Sequence, residues 1–141
     1  MNLFDATELF DGGIKRYTDF KLPDTELRLW QHFYPKPEAD RFYETLLRET
    51  PWQQRMRKMY DKMIADHLLT AYYGGENGHH WTPLLLELKE AIEKVTEISF
   101  NRVLLNLYRD GKDSVAWHSD NLPADGKHHP IASVTFGDTR I

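Results

Sequence analysis

Asn106-Leu107-Tyr108-Arg109-Asp110-Gly111-Lys112-Asp113-Ser114-Val115-Ala116-Trp117-His118-Ser119-Asp120 is the stretch on which the reading of this chain turns. It holds His118 and Asp120 two residues apart, in a segment that reads as extended. In an extended chain, side chains at i and i+2 point to the same side. An imidazole nitrogen and a carboxylate oxygen would then converge on one point. These are two of the three ligands of a 2-His-1-carboxylate facial triad, the donor set of non-haem Fe(II) oxygenases. A bare His-x-Asp pair is weak evidence, since a polar loop residue beside an Asx-turn looks the same.

The text around the pair narrows the choice. Asn106-x-Tyr108, the turn Arg109-Asp110-Gly111-Lys112-Asp113-Ser114, and Trp117-His118-Ser119-Asp120 resemble the AlkB family in register. These are Fe(II)/2-oxoglutarate dioxygenases that oxidatively dealkylate nucleic acid bases. The resemblance runs back through Phe100-Asn101-Arg102-Val103-Leu104-Leu105 and Trp81-Thr82-Pro83-Leu84 to Leu69-Thr70-Ala71-Tyr72-Tyr73-Gly74. Forward, it continues through Pro130-Ile131-Ala132-Ser133-Val134-Thr135-Phe136-Gly137, so that roughly half the chain is covered.

That resemblance implies an α+β fold with a double-stranded β-helix (jelly-roll) core, its N-terminal helices packed on one sheet and its last strands lacking. Residues 1–24 are expected as a loose leader and 25–141 as the dioxygenase domain, incomplete at the C-terminus. By the same resemblance His118 and Asp120 hold Fe(II), and Asn106 and Tyr108 bind the carboxylates of 2-oxoglutarate, with O2 as the second co-substrate. An aromatic ring such as Tyr73 or Trp81 could stack on the target base, although each reads more readily as core, and Asn121 and Leu122 would lie beside the base. Three departures from the family are visible. Its distal iron-binding His and its Arg residues that clamp 2-oxoglutarate lie beyond the Phe136-Gly137 strand and are not expected within this chain. His128 and His129 are expected as surface residues rather than substitutes. Leu122 stands where the family usually has an acidic residue, and the stretch from Gly75 to His80 is shorter than the family's Tyr-Ser-Gly strand.

Composition sets bounds on partners and compartment. With 141 residues the chain makes one domain with room for a core, and 40% hydrophobic with 28% charged residues is ordinary globular composition. No apolar run approaches the roughly 18 residues of a membrane span, and Met1-Asn2-Leu3-Phe4-Asp5-Ala6 lacks a signal peptide's basic start. No membrane partner is expected, and an intracellular protein is, with cytoplasm and nucleus indistinguishable. The absence of cysteine leaves His and carboxylate oxygens as the metal ligands. A net charge of -4 speaks mildly against a general nucleic-acid binder, but phosphate contacts need only a local patch. Arg48, Arg55, Arg57, Lys58 and Lys62 form the densest cationic cluster, which as a solvated face needs no ligand.

Along the chain, Leu27 to Tyr34 alternates like a strand and is stopped by Pro35 and Pro37. Ala39, Phe42, Tyr43, Leu46 and Leu47 follow at helical spacing, ending near Thr50 before Pro51. Residues 52–64 read as strand or irregular. Leu68 to Tyr73 is β-prone and closes on the turn Gly74-Gly75-Glu76-Asn77-Gly78. Thr82 and Pro83 are a good N-cap and first helical residue, and Leu84, Leu85, Leu88, Ala91, Ile92 and Val95 predict a helix to about Thr96 lying on a sheet. Phe100–Tyr108 reads as a buried strand with Leu104, Asn106 and Tyr108 on one face. The Asp110-Gly111 turn should return the chain as a strand Ser114–His118, and Pro130–Phe136 reads as the last strand.

The function these readings favour is Fe(II)/2-oxoglutarate-dependent dealkylation of bases in alkylated DNA or RNA, single-stranded, by a monomer. Flipping a base from its stack is easiest where it is unpaired. Two alternatives stand beside it: a catalytically silent remnant or binding domain, and a dioxygenase acting on a protein or small molecule.

Overall fold

A computed structural model of the chain describes residues 10–11, 14–121 and 123–139. Two residue pairs, β1 (Phe10–Asp11) and β2 (Ile14–Lys15), meet antiparallel. Then β3 (Thr18–Leu22) and β4 (Thr25–Leu29) form a hairpin, α1 spans Lys36–Glu49, β5 (Met56–Met59) and β6 (Lys62–Ala65) form a second hairpin, and β7 (Leu69–Gly74) follows. Finally α2 (Pro83–Thr96) leads into β8 (Arg102–Leu107), which pairs antiparallel with β7.

The α2 helix begins where capping chemistry puts it. Thr82 Oγ1 accepts the Leu85 N–H at 3.2 Å, Pro83 needs no hydrogen-bond partner at the first position, and Glu97 ends the helix in the left-handed region at φ 59°. In α1, Pro37 sits in the first turn, Glu38 and Arg48 lie at the ends that the helix dipole favours, and Pro51 follows the Thr50 cap. Arg41 joins α1 to α2 through Glu87 and is also held by Glu38 of its own helix.

Register explains the core. Ala71 faces Leu105 and Tyr73 faces Val103, and this side of β7–β8 packs on Leu85 of α2, Leu46 of α1, Trp52 and Trp81. The other side pairs Thr70 with Asn106 and Tyr72 with Leu104. Both helices therefore cover one face of one sheet, as expected. The outer edge of β7 is covered twice: Gln53 exchanges both backbone hydrogen bonds with Thr70, and His79 bonds to Tyr72 and Gly74. A second cluster joins Phe42, fully buried, to Tyr34 and Phe136, with ring centroids 4.7 and 5.5 Å from Phe42.

Several expectations are corrected. Thr18–Leu22 is a strand within the span read as a leader, because Asp24, at φ 55°, turns the chain back onto β4. The strand expected over Leu27–Tyr34 stops at Leu29, and His32 takes φ 49° in the following turn. Neither Ser114–His118 nor Pro130–Phe136 is a strand. Extended segments become strands only by finding a ladder, and these are held otherwise: the Ser114 N–H donates to His67 O at 3.1 Å, and Phe136 docks by ring stacking. The described residues thus form four two-stranded sheets and two helices, and the closed jelly-roll is not seen among them. Nor is β8 buried throughout. Val103, Leu105 and Leu107 face inward, while Leu104 and Asn106 are exposed.

Candidate metal and cosubstrate site

His118 and Asp120 are the two groups that the structure brings together. The His118 Nδ1–H donates to the carbonyl two residues earlier, Ala116 O, at 2.7 Å. In the neutral ring that bond places the proton on Nδ1 and turns the Nε2 lone pair towards Asp120, the arrangement usual for metal-bound histidines. Nε2 lies 3.4 Å from Asp120 Oδ1, within the span of two metal–ligand bonds of about 2.0–2.2 Å each. Both side chains are exposed. The donor set, one imidazole and one carboxylate, suits a hard-to-borderline ion such as Fe(II). No group of three or more His, Cys, Asp or Glu able to hold a metal occurs among the described residues, so the fit is that of two ligands of a triad.

Asn106 lies on the open face of β8, opposite the helices and beside Leu104, and half-buried Tyr108 follows just past the strand's end. A polar amide on that face meets solvent instead of core, so the burial penalty that its sequence context suggested does not arise. Between Tyr108 and His118 the chain is shaped by Asp113. Its Oδ2 accepts the backbone N–H and Nε of Arg109, both at 2.8 Å, and its Oδ1 accepts Nη2 at 3.0 Å. The same carboxylate raises the Arg109 guanidinium further above its ordinary range.

A family model described as the 2OG-Fe(II) oxygenase superfamily matches residues 26–141. The chain belongs to that superfamily. Among relatives of this chain, the alpha-ketoglutarate-dependent dioxygenase alkB homolog 3 of Bos taurus is 44% identical over 119 residues, covering 77% of this chain and 42% of that protein. The Homo sapiens protein of the same name is 42% identical over 122 residues, covering 79% and 43%. The DNA oxidative demethylase ALKBH2 of Bos taurus is 40% identical over 123 residues, covering 76% and 44%. The chain is AlkB-like, and it spans less than half the length of these relatives.

The remaining candidate site residues of the chain are placed unevenly. Tyr73 is only 3% exposed, packed with Ala71 and Leu85, with its ring 5.4 Å from His79. A ring so enclosed is a core residue, the alternative that its sequence context favoured. Trp81 is half-buried against the same cluster. Asn121 is exposed in the loop after the dyad, and Leu122 lies outside the described residues. His128 is exposed, and His129 Nε2 pairs with Asp125 Oδ2 at 2.8 Å, away from any metal role.

Two aromatic residues escaped the sequence reading. Tyr60 is 95% exposed at the tip of the β5–β6 hairpin, and Trp117 is fully exposed beside His118. The only signal for Tyr60 was the turn it makes with Asp61, both at positive φ, between two Met- and Lys-bearing strands. Between this hairpin and residues 114–116 lies a cleft of about 260 Å³, lined by Arg57, Met59, Ile64, Asp66, His67 and Val115 among others. No helix is long and apolar enough to cross a membrane among the described residues.

Proposed function

We propose that this chain carries the iron- and cosubstrate-binding part of a dioxygenase that dealkylates N-alkylated bases in single-stranded DNA or RNA. The observation that carries the reading is the His118–Asp120 dyad, with its tautomer fixed by Ala116 and its donors 3.4 Å apart. His118 Nε2 and Asp120 Oδ1 are the two protein ligands for Fe(II). Asn106 and Tyr108 present an amide and a phenol to the carboxylates of 2-oxoglutarate. Fe(II) held there would supply O2 activation coupled to the conversion of 2-oxoglutarate to succinate and CO2, with the second oxygen atom of O2 oxidising the N-alkyl carbon.

The nucleic acid is recognised by the β5–β6 hairpin. Residues 55–66 hold four cations against two carboxylates, a local excess in a chain of net charge -4. The exposed rings of Tyr60 and Trp117 give stacking surfaces for unpaired bases, worth about 1–3 kcal/mol per base where they engage. The relatives named as DNA oxidative demethylases support this substrate class over a protein or small molecule. The protein works as a monomer inside the cell.

Calorimetric titration of 2-oxoglutarate in the presence of Mn(II) tests the site. The wild-type chain should bind, and Asn106→Ala or Tyr108→Phe should weaken binding about tenfold, as loss of a charge-assisted hydrogen bond requires. Equal affinity in all three would assign the cosubstrate elsewhere.

A further inference from the structure

We propose that Asp113 is a positioning residue for the metal site: through Arg109 it sets the direction in which the His118–Asp120 segment leaves β8. The proposal rests on the reading of that dyad as a metal centre. Asp113 stands out by burial. From Arg109 to Asn121 every residue is exposed except Asp113, which is 6% exposed. A carboxylate is rarely enclosed in an otherwise solvated loop unless its oxygens are engaged, and here they accept three N–H groups from a single residue, Arg109.

The geometry of those bonds matters more than their number. A bidentate guanidinium–carboxylate fork fixes an orientation, where a single-point contact fixes only a distance. The backbone N–H of Arg109 is bound by the same carboxylate, so the fork is tied to the main chain one residue after Tyr108. Within the loop, the Lys112 N–H donates to Asp110 Oδ1 at 2.7 Å and the Asp113 N–H to Asp110 O at 3.3 Å. Next in the chain, the Ser114 N–H donates to His67 O at 3.1 Å, which ties the exit of the loop to the segment between β6 and β7. The chain is thus held on both sides of Asp113, five residues before His118. Because Ser114–His118 has no strand ladder, this clamp stands in for one.

Glu93 provides an internal control. It accepts the Phe100 N–H at 2.7 Å and Lys89 Nζ at 2.8 Å, a comparable clamp on the entry to β8, away from the dyad. The experiment compares wild type, Asp113→Asn, Arg109→Lys and Glu93→Gln as 15N-labelled full chains. Backbone heteronuclear NOEs report order in residues 114–120, and electron paramagnetic resonance reports Mn(II) affinity with 2-oxoglutarate present. Asp113→Asn and Arg109→Lys should loosen 114–120 while leaving the β7–β8 amides unchanged, and should weaken Mn(II) binding about tenfold; Glu93→Gln should do neither. Arg109→Lys keeps the charge and the buried carboxylate, so it decides the matter should Asp113→Asn fail to fold. Unchanged order in 114–120, or an equal loss of affinity in Glu93→Gln, overturns the proposal. Absence of Mn(II) binding in wild type overturns the dyad as a metal centre, and the NOEs then still decide whether Asp113 holds the segment.

Discussion

Replacing Arg55 and Lys62 together by Gln should flatten the salt dependence of binding to a methylated single-stranded oligonucleotide. The four cations of the β5–β6 hairpin are not equivalent. Arg57 Nε is held by Asp66, whose side chain is only 15% exposed. Lys58 meets Asp61 at 3.4 Å with both side chains largely in solvent, a pair too weak to keep it from a phosphate. Arg55 and Lys62 make no ion pair among the described residues. Three cations are therefore available, and at about 0.7 per phosphate contact on a single strand the slope of log K against log salt should be about -2. Raising salt from about 50 to 200 mM should weaken wild type about 20-fold and the double variant about threefold. Fluorescence anisotropy at four salt concentrations reads both slopes. A double variant with the wild-type slope, or an Arg57→Gln variant that flattens it as much, would refute the assignment of the hairpin as the phosphate contact.

Other consequences follow from the packing and the charges. A Cβ at Gly74, which has φ +79°, would be driven against the Asn101 carbonyl and to 2.9 Å from Trp81 Nε1, while one at Gly111 meets nothing. Left-handed strain of about 1–2 kcal/mol plus overpacking of about 1–3 should make Gly74→Ala lower the thermal midpoint by roughly 10 °C, with Gly111→Ala near neutral. Circular dichroism melts check this. Phe42→Ala should cost about 3–5 kcal/mol, and a double-mutant cycle with Phe136→Ala, read in urea, should show about 0.5–1.5 kcal/mol of coupling between the stacked rings. Lys89 and then the Phe100 N–H hold the Glu93 carboxyl below its ordinary range. A depressed acid stabilises the fold above its unfolded pKa and loses that contribution as pH falls through the folded value. The difference in midpoint between wild type and Glu93→Gln should therefore be constant from about pH 8 to 5.5 and shrink below about pH 4.3.

What the sequence revealed follows from which forces are local. The Thr82-Pro83 start of α2 and the helix before Pro51 were legible because caps and prolines act within a few residues. The β7 run and the turn at Gly74 were legible for the same reason, and the pairing of Asn106 with the face of Leu104 followed from the two-residue period of a strand. Tyr73 stayed open between core and base stacking because periodicity says which residues share a face, but not which face meets the helices; that depends on Leu85 and Leu46 arriving from elsewhere. Ser114–His118 and Pro130–Phe136 have β-like composition, yet a strand is a relation between two segments, and no ladder partner appears among the described residues. The Thr18–Leu22 strand was hidden because Phe20 and Leu22 alternate over a span too short to register against the polar residues around them. The dyad itself was legible as a pair, while its fixed tautomer, set by Ala116 O, needed coordinates.

The most direct test of the central claim is Mn(II) binding in the presence of 2-oxoglutarate, read by electron paramagnetic resonance in wild type, His118→Ala and Asp120→Ala. The account predicts that wild type binds and that each variant weakens binding at least tenfold. Binding of equal strength in all three, or none in wild type, would contradict it.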